Sequence, residues 1–229
     1  FSYWRGGISI KEVFSDIIVE APLGSRTKLT LPDGTLVWLN AGSRITYSQG
    51  FGVGNRKIEL IGEGYFEVKR NEEVPFLVKT NSLLVKVLGT KFNFRDYPDD
   101  AEAIVSLSEG KVALNNLLKK EKEAFLLPNE RVVLNKKNGR MPVEYSTVSN
   151  ALQWTNGYLF FDEELLPDVV KELERSYNVK IQIASDTLNT FRFYGNFVHR
   201  EQNIQEVLEA LSATRKIHYI IEGHNITLY

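Results

Sequence analysis

Thr27-Lys28-Leu29-Thr30-Leu31-Pro32-Asp33-Gly34-Thr35-Leu36-Val37-Trp38-Leu39 decides the fold class of the first half of this chain. Polar and apolar residues alternate up to Leu31, the period of two that lays one face of a strand on a core. Pro32-Asp33-Gly34-Thr35 interrupts the run, and four apolar residues resume it. Asp-Gly between two such runs marks a hairpin, because glycine takes positive φ freely and aspartate bonds its own backbone.

Outward from this hairpin the texture continues to about residue 145. Strand-like runs fall at 57–61, 65–69, 76–80, 83–88, 92–97, 103–107, 111–115 and 131–134, with turn residues at 62–64, 71–75, 89–90, 98–100, 109–110 and 128–129. Short strands at close spacing predict an all-β sandwich, roll or solenoid of antiparallel strands. Residues 116–124, with Leu-Leu-Lys-Lys-Glu-Lys-Glu, read as an exposed hairpin tip.

After about residue 150 the period changes. Asp162 offers an N-cap to a stripe of Leu166, Val169, Val170, Leu173 and Tyr177, with Pro167 in the first turn and Asn178 at the end. A strand over 179–183 follows. The pattern recurs with extended residues 191–198, a cap at Asn203, a second stripe of Ile204, Val207, Leu208 and Leu211, and strands at 217–221 and 226–229. Matching positions keep one offset of 38 residues, from Leu166/Ile204 to Ile183/Ile221. A repeated strand–helix–strand unit predicts a small α/β domain over 154–229, with two helices on one sheet face. Such a sheet ends in open strands, and Phe191, Phe193, Tyr194, Ile226 and Leu228 stand on the candidate partner edges.

The 229 residues are 25% charged and carry a net charge of −1, which excludes the basic footprint of a nucleic-acid binder. Residues 151–229 hold seven Lys/Arg and eleven Asp/Glu, net −4, leaving +3 for the rest. No run approaches the ~20 apolar residues of a membrane span. Without cysteine there is no thiolate chemistry and no disulfide framework. The start at Phe1, without Met, leads us to expect a piece of a longer protein.

Catalytic constellations are missing. His199, His218 and His224 lack metal-ligand spacing, and no Gly-x-Ser-x-Gly occurs. The glycine-rich 50–54 run leads into a strand, whereas a phosphate cradle needs a helix. Asp99 and Asp100 follow Pro98 and read as a turn; Asp162, Glu163 and Glu164 read as capping residues. Trp4, Trp38 and Trp154 stand singly at strand ends, as packing residues do. No enzyme, cofactor or metal is expected.

Several segments carry a resemblance. Leu31-Pro32-Asp33-Gly34-Thr35-Leu36-Val37-Trp38-Leu39-Asn40-Ala41-Gly42-Ser43 resembles the opening motif of FecR-type anti-sigma regulators. Arg56, then Leu60-Ile61-Gly62-Glu63-Gly64-Tyr65-Phe66-Glu67-Val68, Pro75-Phe76-Leu77-Val78, Val87-Leu88-Gly89-Thr90-Lys91-Phe92-Asn93-Phe94 and Leu107-Ser108-Glu109-Gly110-Lys111-Val112 follow in matching order. From Trp154 onward the tail is similar to the C-terminal domain of Bacteroidetes members, itself like secretin/TonB short N-terminal domains.

The resemblance implies a juxtamembrane remnant at 1–20, an all-β sensor domain at 21–148 and the small α/β domain at 154–229. It implies the periplasmic part of a single-pass inner-membrane protein, whose sigma-binding segment and membrane helix are absent here. The implied partner is the periplasmic signalling domain of an outer-membrane TonB-dependent transporter. The motif residues Asp33, Gly34, Thr35, Trp38, Leu39, Asn40, Arg56, Gly62, Glu63, Phe66, Gly89, Thr90, Phe92, Gly110 and Trp154 are then structural. A periplasmic carbohydrate- or peptide-binding module is the alternative, which a deep aromatic pocket in the β half would favour.

Overall fold

A computed structural model describes residues 14–146 and 148–229. Thirteen strands build the first domain: β1 Asp16–Ala21, β2 Thr27–Thr30, β3 Leu36–Leu39, β4 Ser43–Ser48, β5 Arg56–Glu67, β6 Phe76–Lys79, β7 Leu83–Val87, β8 Lys91–Asp96, β9 Glu102–Glu109, β10 Val112–Asn116, β11 Ala124–Leu126, β12 Glu130–Asn135 and β13 Val143–Tyr145. The Asp-Gly hairpin is present, with β2 antiparallel to β3 and Gly34 at φ +87°.

Residues 57–69 do not form two strands with a turn between them, as their glycines suggested. Residues 57–67 belong to one twelve-residue strand, β5, which serves two sheets. Its first half pairs with β4 and β6, and its second half with β3 and β8. The change occurs at Gly62, whose φ is +96°. A Cβ there would stand 2.5 Å from Ser43 Oγ and 2.9 Å from its Cα, so only glycine passes. One sheet then runs β1-β4-β5-β6-β7-β10-β11 and the other β2-β3-β5-β8-β9-β12-β13. Of the three folds expected, the sandwich is the one formed. One pair breaks the antiparallel rule, since β6 runs parallel to β5.

Both sheets contribute to a single core that includes Leu39, Ile45, Ile58, Phe66, Phe76, Phe92, Phe94 and Leu107. Phe66 stacks on Phe92 with centroids 5.1 Å apart. β1 pairs with β4 along its whole length, so the sheet already includes residues assigned above to a juxtamembrane remnant. Residues 1–13, with Trp4, lie outside the described residues.

A short helix α1, Val148–Ala151, and a 3-10 turn over Gln153–Asn156 lead to the second domain. Trp154 sits in that turn, not at a strand end. The domain comprises β14 Tyr158–Leu165, α2 Leu166–Tyr177, β15 Lys180–Ile183, β16 Arg192–Val198, α3 Ile204–Ser212, β17 Tyr219–Glu222 and β18 Asn225–Leu228. The 38-residue repeat is real: the helices start at Leu166 and Ile204, and β15 corresponds to β17. Leu159 even pairs with its own counterpart, Phe197.

Three expectations need correction. Asp162 does not cap α2; it lies in a bulge of β14, next to Glu163 at φ +53°, and Leu165 precedes the helix. The strand continues because Glu164 and Leu165 still find partners in Phe193 and Arg192. The strands do not form one sheet, since β14-β16 and β15-β18-β17 are separate. And β18 is no edge: it lies between β15, to which it is parallel, and β17, to which it is antiparallel. Ile226 and Leu228 are therefore buried. Phe193 also faces the core, whereas Tyr194 is exposed. The Asn203 cap is present, with Asn203 Oδ1 accepting from Glu206 N and the Glu206 carboxylate accepting from Asn203 N.

Candidate functional site

Alternation along the strands puts Trp38 and Asn40 of β3 and its extension, Glu63 and Tyr65 of β5, and Asn93 and Arg95 of β8 on one face of the second sheet. This is the face turned away from the sandwich core. It is covered by Trp154 and α2, and its polar groups are buried there.

Glu63 is at the centre. Its Oε2 accepts from Asn40 Nδ2 at 2.9 Å and its Oε1 from Asn93 Nδ2 at 2.8 Å. Each amide passes the contact on: Asn40 Oδ1 accepts from Arg26 Nε at 3.0 Å, and Asn93 Oδ1 from Trp154 Nε1 at 3.1 Å. Full burial pushes the Glu63 carboxyl above its ordinary range; Arg95 opposes this and Glu172 reinforces it. The local backbone supports the arrangement. Ser43 Oγ accepts from Glu63 N at 2.8 Å, and the Tyr97 hydroxyl, 3.2 Å from Ser43 Oγ, donates to Ala41 O at 2.8 Å.

Beside this chain lies a ring of four charges, two from each domain. Arg95 and Asp100 come from the β domain, Glu172 and Arg175 from α2. Arg95 reaches Asp100 at 2.8 Å and Glu172 at 3.7 Å; Arg175 reaches Asp100 at 3.2 Å and Glu172 at 3.4 Å. The Arg175 guanidinium also lies 3.8 Å from the centroid of the Tyr97 ring. Burial alone would raise Asp100 and Glu172, but Arg95 and Arg175 outweigh it and hold both carboxyls below their usual values. Lys171 Nζ to Asp99 O and Gly24 N to Arg175 O, at 2.7 and 2.8 Å, extend the seam.

The two apolar cores do not merge across this boundary. What joins the domains is polar, and a buried ion pair gains little net stability because each charge gives up its water. Removing one partner is a different matter, since the other charge is then stranded. Such a joint holds position and orientation more than it adds stability.

The sequence-selected residues divide between this seam and a second cluster. Asn40, Glu63 and Trp154 belong to the seam. Asp33, Thr35 and Arg56 form a lock inside the β domain: Arg56 donates to Asp33 Oδ2 and to the carbonyls of Lys69, Asn71 and Val74. Thr35 N donates to Asp33 Oδ1, and Thr35 Oγ1 accepts from Lys69 N. Thr90 Oγ1 donates to Lys111 O beside Gly110, which has φ +94°. At Gly89 a Cβ would meet the Arg70 backbone at 2.8 Å. Trp38 faces Tyr65 and Lys28 on the outer sheet face, and Leu39 and Phe66 are core.

The sequence reading missed Arg95, Glu172 and Arg175, quoted Asn93 only inside a motif without singling it out, and took Asp100 for a plain turn residue. One signal was available: Glu172, Arg175 and Ser176 share a helix face at i, i+3 and i+4, a polar face next to the apolar stripe. His199 Nε2 lies 2.6 Å from Ser176 O. Among the described residues no group of three or more His, Asp or Glu is placed to hold a metal.

A β-sandwich seats a small repeat-built α/β domain on its outer sheet face, through buried charges, and the two make a two-domain module. Residues 18–113 match the FecR protein family model, and residues 158–228 match the FecR C-terminal model. A candidate anti-sigma factor from Parabacteroides distasonis ATCC 8503 has a crystal structure at 1.65 Å resolution that superposes with a TM-score of 0.85. It is 33% identical, over 93% of this chain and 98% of that one. A second crystal structure with the same description, at 2.50 Å, matches equally, with TM-score 0.85 and 33% identity over 94% and 99%. This chain belongs to the FecR family. No curated protein matches it.

Proposed function

We propose that this chain is the signal-receiving region of a transmembrane anti-sigma factor. In this reading it lies in the periplasm and relays the occupancy of an outer-membrane TonB-dependent transporter to an extracytoplasmic-function sigma factor. The observation that carries it is the match of both domains, in order, to the two FecR models and to a relative described as a candidate anti-sigma factor. The sigma factor itself would be held by a segment outside this sequence. No helix of the described residues is long and apolar enough to cross a membrane.

The partner's docking strand is assigned to β17. Hydrogen bonds in both directions between His218 and Tyr229 fix the ladder phase, so Tyr219 and Ile221 turn their backbone groups away from β18. Neither amide donates to another group among the described residues, and Ile220 and Ile221 are 50% and 40% exposed. β15 is less open, because the Glu174 carboxylate accepts from Ile181 N. The edge is apolar up to Glu222 at its end, and such an edge suits strand addition by a partner.

The test is binding of the full chain to the periplasmic signalling domains of TonB-dependent transporters from the same organism, measured by calorimetry. Ile221→Pro removes an outward N–H without removing a ladder bond, and should abolish binding while the melting curve stays in place. Unchanged binding would move the docking site elsewhere. A wholly absent interaction in the parent chain would remove the relay reading. For the carbohydrate- or peptide-binding alternative the β domain offers little: its groove of about 600 Å³ beside Leu88 and Lys111 has one aromatic, Phe125.

A further inference from the structure

The exposed tip beyond β10 carries a chemistry that the two-domain seam does not use. Asn116 Oδ1 accepts from Leu118 N and Lys119 N, which closes a tight turn and directs residues 117–123 outward. A second loop, residues 136–140, is built the same way: Asn135 Oδ1 accepts from Lys137 N and Asn138 N. The two loops touch, since Asn116 Nδ2 donates to Gly139 O at 2.9 Å and the Lys119 stem lies over Gly139.

Their joint surface presents Lys119, Lys120, Lys122, Lys137 and Arg140 against Glu121 and Glu123, a net of +3. None of these five cations makes an ion pair among the described residues. Lys136, in contrast, is engaged with Asp96 and Tyr97. At the apex Leu117 and Leu118 stand 43% and 44% exposed, side by side among the lysines. Two adjacent leucines in water are unfavourable, and cations with long apolar stems beside them make the tip amphiphilic.

We propose that loops 116–123 and 136–140 form a docking tip for an anionic lipid surface. Size and charge favour lipid over protein: the tip is two loops of eight and five residues with a net of +3, whereas a stable protein interface needs roughly 1,000 Å² or more of complementary surface. A bilayer yields to such a tip: the leucines enter the headgroup boundary while the lysines snorkel to anionic headgroups. The attraction is local, fading within a Debye length of about 10 Å at 0.1 M salt.

The test is co-sedimentation of the full chain with phosphatidylcholine vesicles, with and without about one-third phosphatidylglycerol. The expected result is at least about tenfold tighter binding to the anionic vesicles, lost when salt rises to about 0.5 M. Leu117→Ser/Leu118→Ser and Lys119→Glu/Lys120→Glu should each reduce that binding to the phosphatidylcholine level with unchanged melting curves. Both leave residues 1–13 intact, so a contribution from those residues would persist and be seen. Lys57→Glu/Lys79→Glu, on β5 and β6, should bind as the parent does. Failure of the parent to prefer anionic vesicles overturns the proposal. So does either tip variant binding as the parent does. Retention on heparin that ignores the leucine pair, without vesicle binding, would reassign the tip to a soluble polyanion.

Discussion

Arg56 and Arg175 are both buried arginines facing an aspartate, and they do opposite things. Arg56 answers to Asp33 and three backbone carbonyls, all within the β domain. None of those partners can leave without unfolding it. Arg175 answers to Asp100 and Glu172 and lies over Tyr97, so most of its contacts cross the domain boundary. Asp100 and Tyr97 would part from it if the domains parted, whereas Glu172, on the same helix, would not. The same ionic chemistry therefore locks one domain internally in one place and joins two domains in the other.

The largest test of that difference is Arg56→Met. It strands Asp33 and the carbonyls inside a fold that cannot open locally, and should cost about 3–5 kcal/mol in urea unfolding of the β domain. Arg175→Met strands Asp100 and Glu172, but the seam can open and let them rehydrate. Its cost is capped by the docking free energy and should fall below that of Arg56→Met. The expected sign is a split calorimetric transition and a larger radius of gyration in X-ray scattering, with β-domain stability unchanged. A single cooperative loss in both variants would erase the distinction.

The pH profile should separate them further. Asp100 and Glu172 are held below their ordinary values. Their contribution is complete above about pH 4.5 and is lost as the pH falls through the depressed folded values. Glu63 is held above its ordinary value, so its contribution is present in acid and fades as the pH rises through the raised folded value. Docking should therefore peak in mildly acid solution. Hydrogen exchange at the Trp154 and α2 amides, followed from pH 4 to 8, reads it; a flat profile would refute the assigned signs.

Smaller effects come from Trp154→Phe and Gly34→Val. The first removes the hydrogen bond to Asn93 and should weaken docking by about 1 kcal/mol, seen as earlier proteolysis near residues 148–157. The second forces a β-branched residue to φ +87° where space is open, since no heavy atom lies within 4 Å of its Cβ. Backbone strain alone, about 1 kcal/mol, should lower the β-domain melting point and leave the Arg56 lock and the seam intact.

Residues 27–39 announced their hairpin because its causes are local: alternation, Asp33 and Gly34. The 38-residue repeat was legible for the same reason. The switch at Gly62 was not, because a glycine in a strand and a glycine in a turn look alike until Ser43, distant in sequence, fills the space. The seam was half legible. Asn40, Glu63 and Trp154 stood in family motifs, but Asp100 and Arg175 lie 75 residues apart, and no local pattern joins them. Ile226–Leu228 was misplaced because a terminal strand does not disclose that it fills the centre of a sheet.

That central strand has one more implication. β15 and β17 are counterparts in the repeat, yet β18 runs parallel to one and antiparallel to the other. A single strand on a twofold axis must break the symmetry. The hydrogen-bonding pattern imposed on β15 is slanted and evenly spaced, while that on β17 is perpendicular and paired. Two edges of common design are thereby made chemically unlike.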